Sequence, residues 1–300
     1  MIVRSLRIPS FQVMCVSLCA TMATAEDPFA STVVSFEPGT GGVDGYDDPT
    51  AALGEPTRTT GGQLFPAAVS PFQPAYLPEE LVSIGAGGSI VLAFDHDVIN
   101  DPRNPHGIDL IVFGNAFCTD AAYPNGVIDS MYAEGGTIEV SLDGIDWYLI
   151  PNIDADGAMP TLGWMDTGPY ATHAGTKPTD FTHPVDPELQ VFGLNYDALL
   201  LAYDGSGGGA GIDLDLVGLT RIRYVRISNS STLQSPEIDA IADVAPASTP
   251  GDINGDGHVD GLDLGLLLAA WNTSDPDADL DNNGIVNGGD MGMLLVGWTP

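Results

Sequence analysis

Basic residues are scarce in this sequence. Lys and Arg together number 8, against 41 Asp and Glu residues, so the formal net charge of the 300-residue chain is −33. A chain this acidic repels the phosphate backbone of nucleic acids, which excludes nucleic acid as a partner. So many carboxylates also repel one another in a compact fold, and divalent cations or high salt relieve that repulsion. The composition therefore indicates bound cations, a solvated surface suited to a salty medium, or both.

Long apolar runs are lacking as well. The N-terminal run from Phe11 to Ala20 follows two arginines, precedes the small residues Ala23 to Ala25, and is too short for a bilayer, which takes about 20 residues. This three-part form is typical of a secretory signal peptide. A membrane anchor is disfavoured by length, and a lipoprotein signal by the bulky Leu18 before Cys19. We predict that residues 1–25 are a cleaved signal, that the protein is secreted, and that no membrane span remains in the mature chain.

Cysteine is also scarce, with only 3 residues in the chain. Cleavage of the signal would leave Cys118 alone, so no internal disulfide is expected even in an oxidising compartment. Cys118 follows Phe117 at the end of an apolar strand, which predicts a buried and unreactive thiol rather than a nucleophile. Without cross-links, bound metal is the natural source of added stability.

Familiar catalytic motifs are missing too. His96, His106, His173 and His183 do not have the spacing of zinc ligands, and no Gly-x-Ser-x-Gly elbow is present. The carboxylate pair of a glycoside hydrolase is a spatial arrangement that a sequence does not reveal, so a polysaccharide-degrading enzyme stays as an alternative. We predict a non-catalytic protein with no catalytic residues.

Residues 26–246 are predicted to form one β domain. Short apolar segments alternate with Gly, Pro and Asp clusters, no useful helix is evident, and about seven strands with long loops favour a two-sheet sandwich. Two long surface loops are predicted, at Gly39–Pro78 and Asp154–Pro187. The predicted strands are Thr32–Phe36, Ser89–Phe94, Ile108–Phe113, Gly136–Leu142, Trp147–Ile150, Arg221–Ile227 and Ile238–Val244.

A short Pro-rich linker, residues 247–250, precedes a change in composition to Asp, Asn, Gly and Leu in residues 251–300. A twelve-residue loop occurs twice there, offset by 27 residues from Asp252 to Asp279. Calcium takes six to eight oxygen ligands, and such a loop offers them from positions 1, 3, 5, 7, 9 and 12. The predicted ligands are Asp252, Asn254, Asp256, His258, Asp260 and Asp263 in the first loop, and Asp279, Asp281, Asn283, Ile285, Asn287 and Asp290 in the second.

Position 7 contributes its backbone carbonyl, which explains why His258 and Ile285 differ there. Each loop runs into a short apolar stripe at i, i+3, i+4 and i+7, which predicts a helix. Neither helix can bury its stripe alone, so the two are expected to pack together with calcium as part of the fold. The stripes are Leu264, Leu267, Leu268 and Trp271, then Met291, Leu294, Leu295 and Trp298.

Residues 251–298 resemble a type I dockerin, a duplicated calcium-binding module that docks onto cohesin domains. The resemblance rests on a calcium loop followed by one helix, twice, with Asp at position 12. It implies calcium as the bound cofactor and a cohesin-like partner. The residues before position 12 are Gly261-Leu262 and Gly288-Gly289 rather than the usual Ser-Thr, so no known cohesin specificity carries over.

The hairpin Gly135–Tyr148, with its Asp143-Gly144 turn and Trp147, resembles discoidin-like and family 32 carbohydrate-binding modules. Val217–Ile227 and Pro236–Ile241 resemble later strands of the same galactose-binding-like jelly roll. The resemblance implies a mainly β fold and a glycan as ligand.

A closer resemblance is to a poorly characterised family of bacterial secreted or cell-surface proteins. It rests on Phe113–Phe117, Ala133–Gly135 and Asp213–Ile227. The resemblance implies an extracellular or cell-surface location in a bacterium and no established activity.

Single residues carry further expectations. Trp147 is expected in the core, whereas Phe72, Tyr76, Trp164 and Tyr170 are expected either to stack on sugar rings or to pack within their loops. Asp239 lies between apolar residues and requires a partner, for which an arginine among Arg221, Arg223 and Arg226 is favoured over calcium. Asp213 and Asp215 are candidates for a third calcium ion.

The sequence thus predicts a secreted, non-catalytic protein. Its calcium-binding C-terminal region would attach the protein to a partner, and its β domain would recognise carbohydrate or another surface. The alternatives are a dockerin-borne polysaccharide-degrading enzyme or accessory component, and a structural surface-layer protein in which calcium serves stability only.

Overall fold

A computed structural model of the chain describes residues 27–157, 159–244, 251–254, 259–275, 278–281 and 283–298. The predicted signal peptide and linker, residues 1–25 and 247–250, lie outside these ranges, as do the predicted ligands Asp256 and His258. The strands are β1 Thr32–Glu37, β2 Thr59–Thr60, β3 Ala67–Ala68, β4 Val82–Ser83, β5 Ser89–Ile99, β6 Leu110–Gly114, β7 Phe117–Asp120, β8 Ile128–Tyr132, β9 Gly135–Ser141, β10 Tyr148–Asp156, β11 Ala210–Ile212, β12 Arg221–Ser228 and β13 Glu237–Asp243. The α-helices are α1 Tyr196–Tyr203, α2 Gly261–Ala269 and α3 Gly288–Val296, and single 3-10 turns occur at Pro49–Ala52, Pro105–Gly107 and Leu214–Leu216.

Two antiparallel sheets form the framework of residues 27–244, which we call the β body. One has the strand order β1-β5-β12-β9-β10 and the other β11-β6-β13-β4. A shared apolar cluster contains Leu92 and Val225 from the first sheet and Val112 and Ile241 from the second. In the first sheet, buried side chains alternate with outward ones, whereas β6 and β13 of the second sheet are buried on both faces, with Ile111 and Ala240 in a separate apolar cluster. The predicted mainly β class is confirmed, with several antiparallel sheets.

All seven predicted strands form, although their ends differ. β5 continues to Ile99 and β10 to Asp156, because hydrogen bonding to neighbouring strands extends them beyond their apolar segments. The short strands β2, β3, β4, β7, β8 and β11 were not predicted, since two to five residues give little alternation to recognise.

Helix α1 contradicts the expectation of no useful helix in the β body. The side chain of Asn195 caps it by accepting a hydrogen bond from the Ala198 amide at 2.9 Å. Tyr196, Leu199 and Tyr203 are buried, which is the i, i+3, i+7 spacing of a single helical face. With only eight residues, the segment shows too little periodicity to stand out in the sequence.

The expectation that the two long segments are surface loops is wrong in part. A second apolar cluster buries Phe72 and Leu162, which come one from each segment, against α1. The rings of Phe72 and Tyr170 lie 5.9 Å apart in the same region, and the indole N–H of Trp164 donates to the Arg58 carbonyl at 2.9 Å. These three aromatic side chains therefore pack within the fold, and Tyr76 alone of the four is largely exposed.

Cys118 is buried, as predicted, and burial raises the pKa of its thiol to about 12. Because the thiolate is the reactive form, we expect native protein at pH 8 to react with a disulfide reagent more than about 100-fold more slowly than denatured protein. The measurement is a thiol-labelling time course, with the same chain in guanidinium chloride as its control. Rapid labelling of the native chain would contradict this assignment.

The C-terminal repeat, residues 251–298, has its own apolar cluster. Leu267 and Leu294 are fully buried at its centre with Val259 and Val286, and helices α2 and α3 contact each other. The predicted stripes hold in part, because Leu268, Leu295 and Trp298 are exposed rather than buried. Within the described ranges, every helix is too short or too polar to cross a membrane.

Candidate metal centre in the C-terminal repeat

Three predicted ligands of the second loop lie close together. Carboxylate oxygens of Asp279, Asp281 and Asp290 are all within 4.8 Å of one another. Calcium–oxygen distances of about 2.3–2.6 Å place two ligands of one ion up to roughly 5 Å apart. The group therefore has a spacing and a set of hard oxygen donors compatible with one metal ion.

Hydrogen bonds to the backbone hold these carboxylates in place. Asp279 accepts from the amides of Asn283 at 3.1 Å and Gly284 at 2.7 Å, so it closes the turn at the middle of the loop. Gly284 has a φ of +89°, the left-handed conformation expected at position 6. Asp290 accepts from Asp281 at 3.1 Å and Asn287 at 2.7 Å. These bonds, above all the one from the Asn287 amide, lower the pKa of Asp290, which keeps this buried residue anionic.

The other predicted ligands of the second loop are engaged within the loop. The Asn283 side chain accepts from the Ile285 amide at 3.1 Å. Asn287 caps α3 by accepting from Gly289 at 2.8 Å, and its amide group donates to the Ile285 carbonyl at 2.8 Å. The structure thus brings the three carboxylates together, while the amide and carbonyl oxygens stabilise the turn.

The first loop repeats the position-12 arrangement. Asp263 is fully buried and accepts from the amides of Ile253 at 2.8 Å, Asn254 at 3.1 Å and Asp260 at 2.8 Å. Asp260 caps α2 by accepting from Leu262 at 2.7 Å, as Asn287 caps α3. Both loops therefore end in the same capping box, in which the carboxylate at position 12 fastens the loop to its helix.

A cluster of three acidic side chains, which the sequence did not indicate, lies in the β body. Oxygens of Glu134, Asp156 and Glu237 lie within 4.8 Å of one another, and no Lys or Arg pairs with them in the part of the chain described. Burial, reinforced by the neighbouring carboxylates, raises the pKa of Asp156 to about 7 and that of Glu237 to about 8. With these pKa values, the carboxyl of Asp156 is partly protonated and that of Glu237 is mostly protonated at neutral pH.

The prediction that an arginine pairs with Asp239 is wrong. Asp239 accepts from the backbone amide of Thr57 at 2.9 Å and from its hydroxyl at 3.0 Å. The three candidate arginines pair with other carboxylates. Arg221 and Arg223 pair with Asp97 at 3.3 and 2.7 Å, and Arg226 pairs with Glu139 at 2.7 Å. These arginines lie on the outer face of the five-stranded sheet, whereas Asp239 belongs to β13 of the other sheet.

The two candidate ligands of a third calcium ion, Asp213 and Asp215, form hydrogen bonds with other protein groups. Asp213 accepts from the Asp215 amide at 2.7 Å and caps a 3-10 turn, and Asp215 accepts from the Asn100 side chain at 2.7 Å. Neither residue belongs to the carboxylate groups that come within 4.8 Å of one another in the described ranges.

Trp147 is half-buried outside the apolar clusters rather than in the core, which corrects the prediction for it. The guanidinium carbon of Arg226 lies 4.2 Å from the centre of its ring. The tryptophan precedes β10, and an arginine from β12 covers one of its faces, so a cation–π contact replaces core packing.

No protein-family model matches this chain, and a comparison with curated proteins finds no match either.

Proposed function

We propose that this chain is an exported, non-catalytic protein whose C-terminal repeat binds calcium and serves for attachment. The observation that carries the proposal is the group of Asp279, Asp281 and Asp290, three carboxylates within 4.8 Å at the predicted ligand positions. The same position-12 hydrogen bonds at Asp263 support a second ion in the first loop.

Exposed apolar side chains on the helices support the attachment role. Leu266 and Leu268 of α2 and Met293, Leu295 and Val296 of α3 are exposed although the helices have an apolar core of their own. Apolar surface left on so small a unit is typical of a protein-binding site. A cohesin-like protein is the proposed partner, and the β body is the part proposed to recognise carbohydrate or another surface.

Calorimetric titration of calcium into the chelator-stripped full chain tests the proposal. We expect about two ions per chain, one for each loop, and loss of both in a variant carrying Asp252→Ala and Asp279→Ala. Titration of an Asp129→Ala variant, which alters an exposed residue of β8, is the matched control. Absence of calcium binding by the unmodified chain would refute the proposal, and an ion retained by the double variant would place calcium in the β body instead.

A further inference from the structure

The outer face of the five-stranded sheet carries a row of hydroxyl groups. Ser89 of β5 is opposite Ser228 of β12, which is opposite Thr137 of β9. Adjacent strands are about 4.8 Å apart, so the three hydroxyls are regularly spaced across the sheet. Within the described ranges, no protein group hydrogen-bonds these side chains.

An ion pair lies beside this row. Arg226 and Glu139 occupy neighbouring positions on β12 and β9, and two hydrogen bonds of 2.7 Å join the guanidinium to both carboxylate oxygens. Trp147 packs on one face of the guanidinium, which fixes its orientation. The pair has no net charge, yet it retains guanidinium N–H donors and carboxylate lone pairs for a ligand.

The row and the ion pair line one shallow depression of about 410 Å³, a volume within the range of small-ligand sites. Gly87 and Gly88 border it, and without side chains they leave it open. Asn229 fixes this border by donating from its side chain to the carbonyls of Ile84 and Gln234, both at 2.8 Å. The polar groups are therefore already arranged before a ligand arrives.

We propose that this depression, lined by Ser89, Thr137, Ser228, Glu139 and Arg226, binds a neutral oligosaccharide. A sugar presents several hydroxyls, each both a donor and an acceptor, which matches a row of free hydroxyls beside a donor–acceptor pair. An anionic ligand is disfavoured because Glu139 neutralises Arg226 and the chain has a net charge of −33. The inference rests on the recognition role proposed for the β body and needs no calcium.

The test uses the full chain and a panel of neutral hexasaccharides, namely cellohexaose, xylohexaose, mannohexaose and β-1,4-galactohexaose, with an oligogalacturonate as the anionic probe. Titrations followed by nuclear magnetic resonance give affinities and report on the Trp147 indole and Arg226 Nε signals. We expect at least one neutral hexasaccharide to bind and to shift both signals, and a chelator to leave this binding unchanged.

A variant carrying Thr137→Val and Ser228→Ala removes two hydroxyls. We expect it to bind that sugar about tenfold more weakly, since two hydrogen bonds to the ligand are lost. The matched control is Thr119→Val with Ser130→Ala, an exposed hydroxyl pair on β7 and β8 that should leave affinity unchanged. Melting temperatures of both variants verify that they fold.

Three outcomes would overturn the inference: no neutral hexasaccharide binds, the hydroxyl variant binds as tightly as the unmodified chain, or only the oligogalacturonate binds. Each of these leaves the calcium proposal untouched, because that proposal is tested by ion stoichiometry in the C-terminal repeat.

Discussion

With calcium bound as proposed, its removal is expected to unfold the C-terminal repeat and to leave the β body folded. The repeat has five fully or nearly fully buried apolar side chains in its cluster and two nine-residue helices, which are too short to be stable alone in water. Its buried carboxylates Asp279 and Asp290 repel each other unless a cation lies between them. Calcium bound only to the folded form adds about 2.7 kcal/mol at a hundredfold excess over Kd.

Hydrogen exchange measured by mass spectrometry distinguishes the two parts of the chain. On addition of a chelator, peptides from α2 and α3 should exchange about 100-fold faster, which corresponds to the stabilisation lost. Peptides from β5 and β12 in the centre of the β body should keep their protection. Equal loss of protection in both parts would mean that calcium stabilises the whole chain rather than the repeat.

Asp290→Ala should reproduce much of this effect in the presence of calcium. The substitution removes one of the three grouped carboxylates and the two hydrogen bonds that fasten the loop to α3. Because α2 and α3 share one cluster, we expect both helices to lose protection and both ions to bind more weakly. Asp129→Ala changes an exposed carboxylate of β8 and should have no such effect.

The features of this structure that the sequence predicts are those with a repeating pattern along the chain, namely the alternating strands and the duplicated loop. Alternation in the second half of β12 shows directly in the sequence, where Val225 and Ile227 are buried on either side of the outward Arg226, and an irregularity after Ile222 interrupts the same pattern earlier in the strand. The duplicated loop fixes the places of Asp279 and Asp290 in the same way, since one copy predicts the other. Both signals depend only on residues near one another in sequence.

What could not be predicted depends on residues far apart in sequence. Glu134, Asp156 and Glu237 come together only because β10 and β13 bring distant segments to one place. Asp239 likewise finds Thr57, 182 positions away, rather than a nearby arginine. No local pattern marks such partners, because the sheet order that creates them is a property of the whole fold.

Buried carboxyls should make the β body less stable in alkaline than in mildly acidic solution. Burial raises the pKa of Asp239 to about 7, and the same cause raises those of Asp156 to about 7, Glu237 to about 8 and Asp243 to about 6. In the unfolded chain these carboxyls titrate near pH 4. Between about pH 4 and the raised values the folded state therefore binds more protons, so the free energy of unfolding falls as pH rises.

Asp239→Asn isolates one of these contributions. The amide keeps the shape of a protonated carboxyl, can accept the Thr57 amide hydrogen bond, and can donate to the Thr57 hydroxyl oxygen. It needs no proton, so the variant avoids the cost of ionising a buried group as pH rises. Each tenfold change in proton affinity is worth about 1.4 kcal/mol, so a shift from near 4 to about 7 corresponds to roughly 4 kcal/mol.

Urea unfolding of the β body, measured from pH 5 to pH 8.5, tests this sign and size. The unmodified chain should lose stability steadily across the range, and Asp239→Asn should lose less, so that the variant is the more stable protein at pH 8.5. Asp129→Asn, at an exposed position, should follow the unmodified chain throughout. If Asp239→Asn left the slope with pH unchanged, the ionisation of Asp239 would not be the source of the pH dependence. Stability that rose with pH would contradict the raised pKa of the buried carboxyls as a group.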